Sequence, residues 1–80
     1  MDDNAILARI NELASEEHSL FQKESDGSAT EEERMKLGTL GVTLDQCWDL
    51  LRQRRARRGA GMNPNDAEVR SATVVERYES

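Results

Sequence analysis

Two stretches of this chain carry their large apolar residues on one helical face only, and that pattern restricts the fold to a pair of long amphipathic helices. Ile6, Ile10, Leu13 and Leu20 recur at intervals of four, three and seven, which aligns them along one side of a helix with 3.6 residues per turn. Glu17 is the polar interruption in that stripe. Leu37, Leu40, Leu44, Cys47 and Leu51 follow at intervals of three, four, three and four. Asp2, Asp3 and Asn4 offer caps and negative charge where a helix dipole favours them, so the first helix is expected over about residues 4–24. Ser25 to Ala29 is a turn-rich break of the length that joins antiparallel neighbours. Thr30 and Glu33 then have the spacing of a capping box, and the second helix is expected over 31–58, stopped by Gly59 and Gly61.

The two stripes test each other, because facing residues of an antiparallel hairpin have numbers that add to a nearly constant sum. A sum of 57 pairs Leu20 with Leu37, Glu17 with Leu40, Leu13 with Leu44, Ile10 with Cys47, Ile6 with Leu51 and Asp3 with Arg54. Four of these six pairs are apolar on both sides, and the register also sets the acidic start of one helix beside the basic end of the other. The expected fold is therefore all-α, an antiparallel helical hairpin over residues 1–58 followed by a linker and tail over 59–80.

Nine seam side chains are few for ordering an 80-residue chain, and a single cysteine, Cys47, rules out an intrachain disulfide. Association supplies the missing contact most simply, so two hairpins are expected to pack as a homodimeric four-helix bundle. Leu7, Ala14, Phe21, Trp48 and Leu50 lie beside the seam. Of these, Trp48, Leu50, Leu7 and Phe21 are the candidate dimer interface. Gly38 and Gly41 each cost a helix about 1 kcal/mol, which suits a neighbouring helix or the Phe21 ring coming close there; a frayed start to the helix is the plainer alternative.

The tail reads differently. Asn63 and Pro64 are placed to open a short helical turn near 64–68, Val69, Val74, Val75 and Tyr78 are its sizeable apolar anchors, and Thr73 with Glu76 has capping-box spacing. The segment is either folded back on the bundle or mobile, and a partly flexible tail is expected.

Charge is divided unevenly. Residues 1–51 hold twelve acids and four bases, 52–58 hold five arginines and no acid, and the rest holds four acids and two bases, for a net −5. Arg52, Arg54, Arg55, Arg57 and Arg58 span nearly two helical turns and could track phosphate. They equally complement a helix C-terminus and can pair with Asp2 and Asp3. The second reading is preferred, because no aromatic is interleaved and no helix-turn-helix or zinc-finger spacing accompanies the block.

Catalytic and metal chemistry find little here. His18 and Cys47 are the only soft ligands, and the register sets them nearly two turns apart, so no metal or cofactor is expected. Asp45 and Asp49 flank Cys47 and oppose its ionisation, while the helix carboxylates read as solvated faces. No enzyme activity is expected. The start is acidic and lacks a signal-peptide core, and no stretch approaches the roughly 18 apolar residues of a membrane span. A reducing, cytoplasmic setting without membrane association fits the lone cysteine.

The opening Ile6-Leu7-Ala8-Arg9-Ile10-Asn11-Glu12-Leu13, the run from Leu44 to Arg58 and the later Val74-Val75-Glu76 together resemble a family of short, mainly actinobacterial proteins, domain of unknown function 2630. The likeness covers nearly the whole chain. It implies a cytosolic bacterial protein of this size and brings no activity, ligand or catalytic residue. The function expected from all of this is a small non-enzymatic binding or scaffolding module, a homodimer with room for another protein partner. The alternative is a nucleic-acid-associated protein gripping phosphate through its arginines.

Overall fold

A computed structural model describes the backbone of residues 2–79 and the side chains of residues 2–75. Helix α1 runs Asp3–Ser25 and α2 runs Glu31–Gly59, and the two pack as an antiparallel hairpin. A 3₁₀ turn at Pro64–Asp66 and a third helix, α3, at Ala72–Glu79 follow, both against α2. No strand occurs among the described residues.

Local chemistry sets the ends. The Asp2 carboxylate accepts from the Ala5 amide at 2.8 Å and caps α1. At the turn, Gly27 takes a φ of +74°, a conformation that costs glycine no side-chain clash. Thr30 and Glu33 form the expected reciprocal capping box, with Glu33 N–H donating to Thr30 Oγ1 at 3.1 Å and Thr30 N–H to Glu33 Oε1 at 3.0 Å. Lys23 of α1 reaches Glu33 at 2.6 Å and Arg34 of α2 reaches Glu24 at 3.1 Å, so the neck of the hairpin is closed by ion pairs. The Glu33 carboxyl is held at about 2, first by Lys23 and then by the Thr30 amide.

The seam buries Ile6, Ile10, Leu13, Leu20, Leu40, Leu44 and Leu51, with Leu37 and Cys47 half-buried against them. All nine expected seam residues therefore pack in or against one core. Leu50 departs from its expected place at a dimer interface, because it belongs to the same buried cluster. The reason is the tail: Ala67 packs against the cluster and Val69 stands beside Leu50. For residues 63–75 the structure thus takes the folded-back alternative. Val75 is 1% exposed on α3, which lies against α2. Helix α3 begins one residue ahead of Thr73, with Ser71 Oγ accepting from the Val74 amide at 3.4 Å, so Thr73 is not the cap. The side chains of Glu76 and Tyr78, also singled out in the sequence, lie outside those described.

The molecule measures 49 × 25 × 15 Å along its principal axes. The tail elements pack against α2, and the flank of the hairpin that carries Phe21 and Trp48 stays exposed. Phe21 and Trp48 are 51% and 40% exposed there. The Phe21 ring does not fill the space at the helix glycines: a Cβ on Gly38 would meet nothing within 4 Å, and one on Gly41 only the Glu17 carboxylate at 3.6 Å.

Leu51, fully enclosed at 0% exposure, is the residue whose truncation should matter most. Leu51→Ala is expected to lower the unfolding free energy by about 2–5 kcal/mol and Thr30→Ala by about 1 kcal/mol, both read from urea denaturation midpoints.

Candidate functional site

Helix α2 meets a different environment on each of its sides, and each side was assembled from a different residue type. The seam side is apolar. The side facing the tail carries Gln46, Asp49 and Gln53, spaced three and four residues apart and so stacked along one helical face. Gln46 Nε2 donates to the Arg70 carbonyl at 3.2 Å and Gln53 Nε2 to the Glu68 carbonyl at 2.8 Å. Asp49, only 3% exposed, accepts from Arg70 Nε at 2.8 Å, from Gln53 Nε2 at 3.0 Å and from a second nitrogen of Arg70. The extended segment Ala67–Ser71 is thereby held as a strap. Backbone carbonyls in such a segment have no helix partner, and the glutamine amides supply one.

The arginine block splits. Arg54 is 6% exposed and donates from Nε to Asp3 Oδ1 at 2.7 Å, and from Nη1 to the Pro64 carbonyl at 3.2 Å and to Asn65 Oδ1 at 3.0 Å. Arg58 donates to Asp3 Oδ1 at 3.2 Å and also pairs with Oδ2. The Asp3 carboxyl is held at about 2 by Arg58 first and Arg54 second, with burial opposing. Arg54 is thus engaged inside the chain, and Arg58, although exposed, is paired with the same carboxylate. Asp2 is spent on its cap, so of the two acids expected beside the arginines only Asp3 accepts from them in the described contacts. Arg52 and Arg55 are exposed and Arg57 is half-exposed.

On the third side, Leu7, Ala14 and Phe21 of α1 repeat at intervals of seven, as do Gly41, Trp48 and Arg55 of α2. Between them lies a groove of about 540 Å³ with Phe21, Leu37, Gly38, Gly41 and Val42 in its walls and Glu17, Glu24, Arg34 and Asp45 at its edges. A separate notch of about 150 Å³ sits on the strap flank, between Ile6, Leu50, Cys47 and Val69. Cys47 lines that notch and His18 lines a surface hollow near the turn with Phe21, so the structure does not bring the two together. Burial pushes the Cys47 thiol up, with the Arg9 charge pulling the other way. Among the described residues no three His, Cys, Asp or Glu side chains are grouped to hold a metal ion, and no helix is long and apolar enough to cross a membrane. The strap was the feature that sequence reasoning missed. Its only advance sign is the Gln46, Asp49, Gln53 spacing opposite Arg70, the sole base between residues 59 and 75.

Comparison with known proteins gives a family and relatives but no activity. A family model described as Protein of unknown function (DUF2630) matches residues 2–80. The chain is 47% identical over 77 residues to uncharacterised proteins of Mycobacterium tuberculosis (strain ATCC 25618 / H37Rv) and Mycobacterium bovis (strain ATCC BAA-935 / AF2122/97), covering 95% of this chain and 88% of each relative. No solved structure matches it.

The strap makes a pH prediction. The Asp49 carboxyl is held below its ordinary 3.8 by hydrogen bonds from Arg70 first, against burial, with Gln53 adding to the effect. A carboxylate with a depressed folded pKa stabilises fully above its unfolded value and loses that contribution as the pH falls through the folded one. The strap is therefore intact at neutral pH and loosens below about pH 4. NMR resonances of residues 67–75 should move in that acid range before those of the seam, and Asp49→Asn should displace them at neutral pH at a cost of about 1–3 kcal/mol. Strap resonances that move no earlier than those of the seam as the pH falls would contradict the assignment.

Proposed function

We infer that the chain, which belongs to the DUF2630 family, is a non-enzymatic binding or scaffolding module that works as a homodimeric helical bundle. One observation carries the reading: the uncovered flank of the hairpin bears both a projecting ring and an unfilled stretch. Trp48 is the large exposed ring, and Gly41 and Gly38, seven and ten residues earlier on the same helix, leave space beside it. A two-fold axis near the middle of α2 sets each Trp48 into the groove of the other copy, as an isologous interface requires. The charges follow the same operation. Arg52, one turn beyond Trp48, comes beside the partner's Glu17 at the groove edge.

Burying an aromatic ring and the groove walls also supplies the apolar contact that one hairpin lacks. Trp and Arg side chains at the centre of a patch are the usual energetic anchors of an interface. A reducing, cytoplasmic setting, suggested by the single cysteine, is part of this reading. Phosphate binding is the weaker account, because Arg54 and Arg58 are held by Asp3. It requires a duplex DNA fragment to bind at low salt, with an affinity that falls steeply as salt rises. No binding is expected.

Light scattering on a size-exclusion column, over a wide concentration range, is the test. The native chain should run as a dimer. Trp48→Ala should shift the dimer constant by at least about tenfold, a loss of 1.4 kcal/mol or more. Gly38→Ala and Gly41→Ala should raise the thermal stability of the single chain, since alanine gains about 1 kcal/mol over glycine in a helix, yet weaken the dimer by filling the groove. Arg52→Glu and Glu17→Arg should each weaken it and together restore it. A folded monomer at all concentrations would sink the reading.

A further inference from the structure

The notch on the strap flank is a concave feature with an interior of one chemical kind. Ile6 and Leu50 are buried in its wall, and Val69 of the strap, itself mostly exposed, lines one side. Two of its other residues are polar by type but not by what they present. The Thr43 hydroxyl donates back to the Thr39 carbonyl at 3.0 Å, and the Gln46 amide is committed to the Arg70 carbonyl at 3.2 Å. The lining to which they contribute is almost wholly apolar. Cys47, kept protonated by its burial, completes an apolar lining. The space, about 150 Å³, matches that of apolar protein cavities that take up a benzene ring.

The mouth is different. Arg9 stands at it, and its charge is felt at the Cys47 sulfur. Its described partner is Glu12, one turn along the same exposed face at 3.1 Å. Exposed pairs of this kind contribute little and exchange readily, whereas a guanidinium can take an incoming carboxylate through two parallel hydrogen bonds.

We propose that this notch is a binding site for a small amphipathic carboxylate, its apolar body of benzene-ring size between Leu50, Cys47 and Val69 and its carboxylate at Arg9. One wall belongs to the strap, so the site exists only while Gln46, Asp49 and Gln53 hold residues 68–70 in place. Occupancy and strap order are linked, and the ligand stabilises the strapped form. The site lies on the opposite flank from Trp48 and does not depend on self-association.

Benzoate is the probe, added to the full chain with benzyl alcohol and acetate as comparisons. Binding is read from the amide resonances of Cys47, Leu50 and Val69 and from the rate at which iodoacetamide alkylates Cys47. Benzoate should move these resonances and slow alkylation, benzyl alcohol should bind about tenfold more weakly for want of the charged contact, and acetate should do neither. Arg9→Gln should reduce benzoate affinity about tenfold, and Cys47→Leu should abolish its binding by filling the space, with circular dichroism showing both variants still helical. No response to millimolar benzoate, equal binding of benzyl alcohol, or binding that survives Cys47→Leu would each overturn the proposal.

Discussion

The guanidinium of Arg54 is the interaction on which the arrangement of this chain depends. It is nearly enclosed, and its donors reach Asp3 at the start of α1, the Pro64 carbonyl and the Asn65 side chain. Three parts of the chain that are distant in sequence therefore converge on one charge. A buried charge is tolerated only when it is paired and its donors are satisfied, so the hairpin register and the entry of the tail are specified together. Taking away its partners would leave an uncompensated cation, a cost of about 3–5 kcal/mol. That makes Arg54 a device for specificity more than for net stability.

From that anchor the tail can run only along one side of α2, and the consequence is an asymmetric hairpin. The strap occupies the side with Gln46, Asp49, Leu50 and Gln53, while the side with Gly41 and Trp48 stays uncovered. The single chain thereby resolves where its excess apolar surface lies. Leu50 is taken into the core, with Ala67 packed against it, and Phe21 and Trp48 are not. Only the latter flank carries both a projecting ring and a gap beside it, which is why self-association is assigned there.

Much of the hairpin was legible in the residues alone. Helices have a fixed period, so a stripe at intervals of three and four declares its own face, and the sum of 57 predicted the Asp3–Arg54 pair that the structure contains. The capping box at Thr30 was equally plain, because its geometry is local. The strap was not. Gln46, Asp49 and Gln53 look like ordinary solvent-facing residues of a helix, and an extended segment has no periodicity to announce what it binds. Leu50 was misplaced for the same reason: its burial comes from a segment whose docking is carried by side-chain-to-backbone hydrogen bonds, not by apolar pattern. The arginines were ambiguous because composition cannot tell a guanidinium that meets Asp3 from one that meets solvent.

The central claim is that α2 spends one flank within the chain and offers the other to a second copy. An isotope-filtered nuclear Overhauser experiment on an equal mixture of labelled and unlabelled chains tests it most directly. The account predicts contacts between the Trp48 ring of one chain and the Val42 and Leu37 methyl groups of the other, with none from Val69 or Val75. Intermolecular contacts from the strap residues, with Trp48 silent, would show that the flanks had been assigned the wrong way round.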